Sequence, residues 1–168
     1  MPRSVSMNFR EAMHSQETSE IPAALLTITH PDLEDPIRLS GDNTERLTTD
    51  PLVYGTVSRG EEYLFIPFRL VLPDDHDETA PQASLELSNI TREHIAIMRS
   101  IVLPASVMIE IILVSDPDEV EITFPAFDLT KVDYDANVMT LSLSMDPLIT
   151  EPFPAHSFDP ASFPGLFA

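Results

Sequence analysis

The sequence predicts a mainly β protein: an antiparallel β-sandwich or barrel with one or two short α-helices and an extended C-terminal arm. Three observations carry this. Apolar and polar residues alternate over many short runs bounded by turn residues, as half-buried strands require. The chain has sixteen prolines in 168 residues, about twice the usual share, which suits turns, edge strands and arms rather than helices. Residues 151–168 then carry four phenylalanines and four prolines, a composition that can form neither a regular helix nor a central strand.

In chain order, residues 7–16 form a short helix candidate with Asn8 as its cap and Phe9, Ala12 and Met13 on one face. Ala23 to His30 is rich in β-branched residues and reads as the first strand. Pro31 to Pro36 is a turn by composition, Ile37–Ser40 a short strand, and Gly41-Asp-Asn43 punctuates it. Residues 53–58 and 61–72 make the strongest hairpin candidate, joined at Arg59-Gly60, with Leu64, Ile66, Phe68, Leu70 and Leu72 on one face. Pro67 cannot donate to a ladder and predicts an edge, a bulge or a bend inside that second run.

Ala83–Ser88 alternates with Leu85 and Leu87 inward, and residues 91–101, capped by Asn89 or Thr91, form a helix whose His94, Ile97, Met98 and Ile101 share a stripe. Ser106–Val114 is nearly continuous in apolar residues and reads as a central strand covered on both faces. Asp116-Pro-Asp118 turns the chain into a strand over residues 119–124, with Val120, Ile122 and Phe124 inward. Phe127 to Tyr134 is a further strand, Asp135-Ala-Asn137 a tight turn, and Asn137 to Met145 places Met139, Leu141, Leu143 and Met145 inward. The last three strands form a meander. About eight to ten short strands with one or two helices make a mainly antiparallel sandwich or barrel. Residues 1–20 are an N-terminal extension, 21–150 one β-rich domain and 151–168 the arm.

Formal net charge is −19, with one lysine, Lys131, and eight arginines. Duplex binding depends on cationic neutralisation of the backbone, so a nucleic-acid-binding groove is not expected. An acidic surface suits a channel through which DNA slides without sticking, although negative charge also simply maintains solubility. There is no cysteine, hence no disulfide framework, thiol nucleophile or cysteine metal site. No apolar run has the length of a signal-peptide core or a membrane span, which predicts synthesis in the cytoplasm and no membrane insertion.

Catalytic patterns are not found. Asp74-Asp-His-Asp-Glu78 could hold a hard cation, but its spacing is wrong for a calcium loop and a solvated acidic loop explains it. Asp116-Pro-Asp-Glu119 reads as a turn. His14, His30, His76, His94 and His156 are scattered without metal-binding spacing, and His94 reads as a hydrogen-bonded, half-buried side chain. Nucleophile elbows, phosphate-cradling loops and dinucleotide fingerprints are missing. With 28 acidic residues, some carboxylate pair falls at a glycosidase distance by chance. The expectation is no enzyme, no cofactor and no metal.

The segment Leu85-Glu-Leu-Ser-Asn-Ile-Thr-Arg-Glu-His-Ile-Ala-Ile-Met-Arg-Ser-Ile101, followed by a hydrophobic strand and Asp116-Pro-Asp-Glu-Val120, resembles a family of short tail proteins of long-tailed bacteriophages. The ending Glu151-Pro-Phe-Pro154 with Phe158-Asp-Pro-Ala-Ser-Phe-Pro-Gly-Leu-Phe167 resembles that family's C-terminus. Its members, of formally unknown function, are encoded just after the tape-measure protein among tail-tip components. The resemblance implies a virion protein of the distal tail or tail tip: a ring between tail tube and hub, lining the DNA conduit. By analogy with other tail rings it implies six copies, or three to match a hub, with tube and hub proteins as partners and DNA passing unbound.

Within that reading, Phe153, Phe158, Phe163, Leu166 and Phe167 are the expected subunit-interface residues, inserted into pockets of a neighbour as aromatic anchors are. The alternative is that the arm covers its own sheet. Two other functions compete. A tail-assembly chaperone or adaptor would be a soluble monomer or dimer with a mobile arm. A small β-sandwich hydrolase or carbohydrate-binding module would use carboxylates, against which stand the absence of tryptophan and only three tyrosines.

Overall fold

The computed structural model describes residues 5–72, 82–88, 105–135 and 138–144. These residues form one helix, α1 (Met7–His14), and ten strands: β1 (Pro22–Thr29), β2 (Ile37–Ser40), β3 (Glu45–Thr49), β4 (Leu52–Ser58), β5 (Glu61–Phe65), β6 (Phe68–Val71), β7 (Gln82–Ser88), β8 (Ser106–Leu113), β9 (Asp116–Tyr134) and β10 (Val138–Ser144). The protein is mainly β and sandwich-like. All ten strands belong to one sheet in the order β3-β4-β5-β2-β1-β8-β9-β10-β7-β6. Every neighbouring pair is antiparallel except β2 and β5, which run parallel through Leu39–Leu64 and Ser40–Phe65.

Connectivity forces this sheet to curl. β5 is third from one edge and β6 is the opposite edge, yet only Ile66 and Pro67 lie between them. In a flat sheet the gap would be about 34 Å, seven spacings of about 4.8 Å, whereas the three residue steps from Phe65 to Phe68 reach about 10 Å. The β6 edge therefore rolls back to the start of the link. There, Ile66 N–H donates to the Ser40 carbonyl at 3.3 Å and Ser88 N–H to the Pro67 carbonyl at 2.9 Å. The Phe68 ring comes within 3.3 Å of where a Cβ on Gly41 would stand.

The principal core fills the curl. Leu26 and Ile28 of β1, Leu39 of β2, Leu85 and Leu87 of β7, Val107 and Ile109 of β8, Phe124, Phe127 and Leu129 of β9, and Met139, Leu141 and Leu143 of β10 are all buried there. Ile66, Phe68 and Leu70 pack against them. On the other face of the same strands a smaller cluster joins Ala23, Leu25, Tyr63 and Ile112, with Val114 and Val120 beside it. Alternation along β1 and β8 thus supplies both clusters, as period-two strands do.

The predicted break at Pro67 is larger than a bend. Instead of one strand over 61–72, the chain leaves β5 and crosses to the far edge, so Leu64 and Leu72 are exposed while Ile66, Phe68 and Leu70 reach the core. The predicted separate strands over 119–124 and 127–134 are one long strand, β9. It bends at register breaks against β8: one after Val107–Phe127, one that leaves Glu121 unpaired, and one between Val120 and Asp116. Extra residues on one strand kink it and increase its twist, and Pro117 and Pro125 fall within these breaks where a lost N–H is tolerated. The meander expected of residues 119–124, 127–134 and 137–145 is instead formed by β8, β9 and β10.

β3 is an addition to the sequence reading, and its Glu-Arg-Leu-Thr-Thr carries no inward alternation beyond Leu47. The cap of α1 is Ser6, not Asn8: its hydroxyl accepts from Phe9 N–H at 3.1 Å. Phe9 is the buried residue of that helix and Met13 is exposed. The expected helix over 91–101, with its His94 stripe, the acidic loop 74–78, Met145 and the arm lie outside the described residues.

Candidate functional site

β4 and β5 are joined by Arg59-Gly60, and both residues have positive φ, 54° and 82°. Two-residue hairpin loops favour this geometry because it matches the strand twist, but a non-glycine residue there is uncommon. The side chain of Arg59 accounts for its place. It reaches over the smaller cluster to Glu110, in the middle of β8, with Nη1 donating to Oε1 at 3.1 Å and Nη2 to Oε2 at 2.5 Å.

Glu110 is paired in register with Leu25 on β1 and Thr123 on β9, so its carboxylate projects from the sheet's interior strands. Its side chain is 5% exposed, against 42% for that of Arg59. A buried carboxylate needs a cation and hydrogen bonds. The Glu110 hydrogen bond outweighs burial and holds the Arg59 guanidinium above its already high ordinary pKa, with the charges of Glu110 and Tyr63 adding to it. Tyr63 Oη lies 3.5 Å from both Arg59 Nη2 and Thr27 Oγ1, completing the cluster.

The same hairpin tip is fastened through its backbone. Ser58 Oγ donates to the Pro117 carbonyl at 2.6 Å, and Arg59 N–H donates to the Asp118 carboxylate. Asp116-Pro-Asp-Glu119, expected as a turn, therefore starts β9 and receives the hairpin; the turn itself is Val114-Ser115. Behind the tip lies a hydroxyl network: Ser40 Oγ and Thr56 Oγ1 are 2.8 Å apart, Asp42 N–H donates to Ser40 Oγ at 3.0 Å, and Thr44 Oγ1 donates to Asp42 at 2.6 Å. Among the described residues every buried side-chain nitrogen and oxygen has a hydrogen-bond partner. The chemistry of this cluster is clamping: it fixes a hairpin across four strands.

A second clamp holds the N-terminal helix. Glu121, unpaired in the ladder and buried, accepts from Ser6 N–H at 2.7 Å and from Ser6 Oγ at 2.5 Å. Ser6 thus caps α1 and ties it to β9 at once. Beside α1 an open hollow is lined by Asn8, Glu11, Glu17, Thr18 and Glu20 among others, and its carboxylates favour solvent. His30 is buried at the end of β1, where Nδ1 accepts from Asp32 N–H at 3.1 Å. Among the described residues, no group of three His, Asp or Glu stands close enough to hold a metal ion, and no helix is long and apolar enough to cross a membrane.

The expected interface residues Phe153, Phe158, Phe163, Leu166 and Phe167 lie outside the described residues. The Arg59–Glu110 pair is absent from the sequence reading, though one signal pointed to it. Ser106–Val114, read as a strand covered on both faces, contains a single charge, Glu110, and a lone carboxylate on such a strand requires a cationic partner.

The profile of a domain of unknown function, DUF1833, matches residues 8–158. No curated protein matches the chain.

Proposed function

This chain belongs to the DUF1833 family, a domain of unknown function, and from that premise we propose that it is a structural component of a bacteriophage tail tip. In this reading it forms a distal-tail ring that joins the tail tube to the hub and lines the DNA conduit, without enzymatic activity. The observation that carries it is the ending Glu151-Pro-Phe-Pro…Phe158-Asp-Pro-Ala-Ser-Phe-Pro-Gly-Leu-Phe167, which resembles the C-terminus of such tail proteins. Net charge of −19 supports the conduit role, because an acidic wall lets DNA pass without capture.

Rings need heterologous interfaces, in which one patch meets a different patch on the next subunit. An apolar arm and an acceptor elsewhere on the domain satisfy that requirement, with six copies favoured and three suited to a hub. Tube and hub proteins are the other partners. The test is to label purified phage particles with an antibody to this chain. Label at the distal end of the tail is the expected result; a chain made during infection but missing from finished particles would overturn the structural role in favour of an assembly adaptor.

A further inference from the structure

β3, β4 and β5 stand at one end of the strand order and join the rest of the sheet at one place. The chain enters them after Ser40 and leaves them at Phe65, and these two residues are partners in the parallel ladder of β2 and β5. Beside that pair, Ile66 N–H donates to the Ser40 carbonyl at 3.3 Å and Gly41 N–H to the Ala24 carbonyl at 3.0 Å. Entry and exit thus run side by side through Gly41 and Ile66-Pro67. Hinges are a few element-terminal residues of this kind. Within the unit, β4 pairs with β3 over four residue pairs and with β5 over four, against the two that join β5 to β2.

Its apolar anchoring is thin. Between residues 45 and 65 only Tyr63 enters either apolar cluster, where it packs with Ala23, Leu25 and Ile112, while Leu52, Tyr54 and Leu64 are exposed. Polar contacts join the unit to the sheet elsewhere. Ser40 Oγ meets Thr56 Oγ1 at 2.8 Å, Arg38 Nη2 lies 3.1 Å from the Glu61 carboxylate, and the tip carries the bonds of Ser58 to Pro117 and of Arg59 to Asp118 and Glu110. Water takes over broken hydrogen bonds, so such contacts part at small net cost, whereas the principal core opens only by exposing Leu26, Ile109, Phe127, Leu141 and their neighbours. Segments with few buried apolar contacts are the ones that open locally. Glu110 fits the same logic: shut, its side chain is 5% exposed and depends on Arg59, and when the tip swings away both charges return to water.

We propose that β3, β4 and β5 are a hinged flap, opening as one body about Gly41 and Ile66-Pro67 and latched shut at its tip by Arg59 on Glu110. Closed, it hides the apolar strip of Ala23, Leu25 and Ile112. Open, it presents that strip beside a hydrated carboxylate.

The chain has no cysteine, so a single introduced thiol reports its own exposure. Leu25→Cys, beneath the flap, and Leu141→Cys, in the principal core, replace two fully buried leucines. Each full-length variant is treated with dithionitrobenzoate at urea concentrations below the unfolding transition. The Leu25→Cys thiol should react at least about tenfold faster, with a shallow urea slope, because an opening that exposes little surface responds little to denaturant. Leu141→Cys should carry the steep slope of global unfolding. Adding Arg59→Ala should speed labelling of Leu25→Cys about 100-fold. One common rate and slope for both thiols would overturn the flap, and labelling of Leu25→Cys that ignores Arg59→Ala would overturn the latch. If either leucine variant fails to fold, Ala23→Cys and Ala83→Cys, both buried and in the smaller and principal clusters respectively, put the same comparison with a smaller change, and equal rates and slopes there would likewise overturn the proposal.

Discussion

Arg59 and Glu110, 51 residues apart in the chain, form a two-bond ion pair in which the carboxylate is buried and the guanidinium reaches water. That asymmetry decides which partner is costlier to lose. Arg59→Ala strands a buried charge and should destabilise by about 3 kcal/mol. Glu110→Ala leaves a guanidinium free to turn to solvent, and should cost about 1 kcal/mol beyond any packing loss. Urea unfolding of both variants checks the order; a larger loss for Glu110→Ala would refute it.

The pair should also hold in alkali. The folded-state pKa of Arg59 is raised, so its contribution is complete below the unfolded value and is lost only as pH rises through the higher folded one. Amide exchange of β4 and β5, corrected for intrinsic rates, should show equal protection at pH 7 and pH 10. Selective loss of protection in the wild type but not in Arg59→Ala would contradict this.

Two glycines separate space from conformation. A Cβ on Gly55 would stand 2.0 Å from the Tyr63 carbonyl oxygen and 2.7 Å from Leu47 Cδ1. Gly55→Ala must push β4 from β5, at about 3 kcal/mol. Gly60 has open space around it but a φ of +82°, so Gly60→Ala should cost about 1 kcal/mol. Thermal unfolding should rank them in that order, and equal effects would show that strand separation at Gly55 adapts freely.

Ser6 caps α1 and binds Glu121 with two hydrogen bonds. Ser6→Ala should cost about 1 kcal/mol for the cap and leave the backbone N–H of residue 6 as the remaining bond to Glu121. The expected signature is faster amide exchange in residues 7–14 with β8 to β10 unchanged. Unchanged exchange in the helix would mean that Phe9 and the backbone bond to Glu121 suffice to anchor it.

Much of the sheet was legible: burial repeats every second residue in β7 and β10, and the nearly continuous apolar run of β8 marks a strand covered on both faces. Long-range consequences were not. Pro67 signalled an interruption, but nothing local reveals that the next four residues pair at the opposite edge. β9 looked like two strands because Pro125 punctuates it, whereas register breaks let one strand absorb extra residues. β3 was hidden by its polarity, as an exposed edge strand is. The clamp was half visible, since Glu110 demanded a partner but only folding brings Arg59 to it.

In the proposed ring, residues 151–168 join copies of this chain. The most direct measurement is the mass in solution by light scattering over a concentration series, for the full chain and for a truncation ending at residue 150. A closed oligomer that becomes a folded monomer on truncation is the predicted result. A monomer in both forms, or an oligomer that survives truncation, would contradict it.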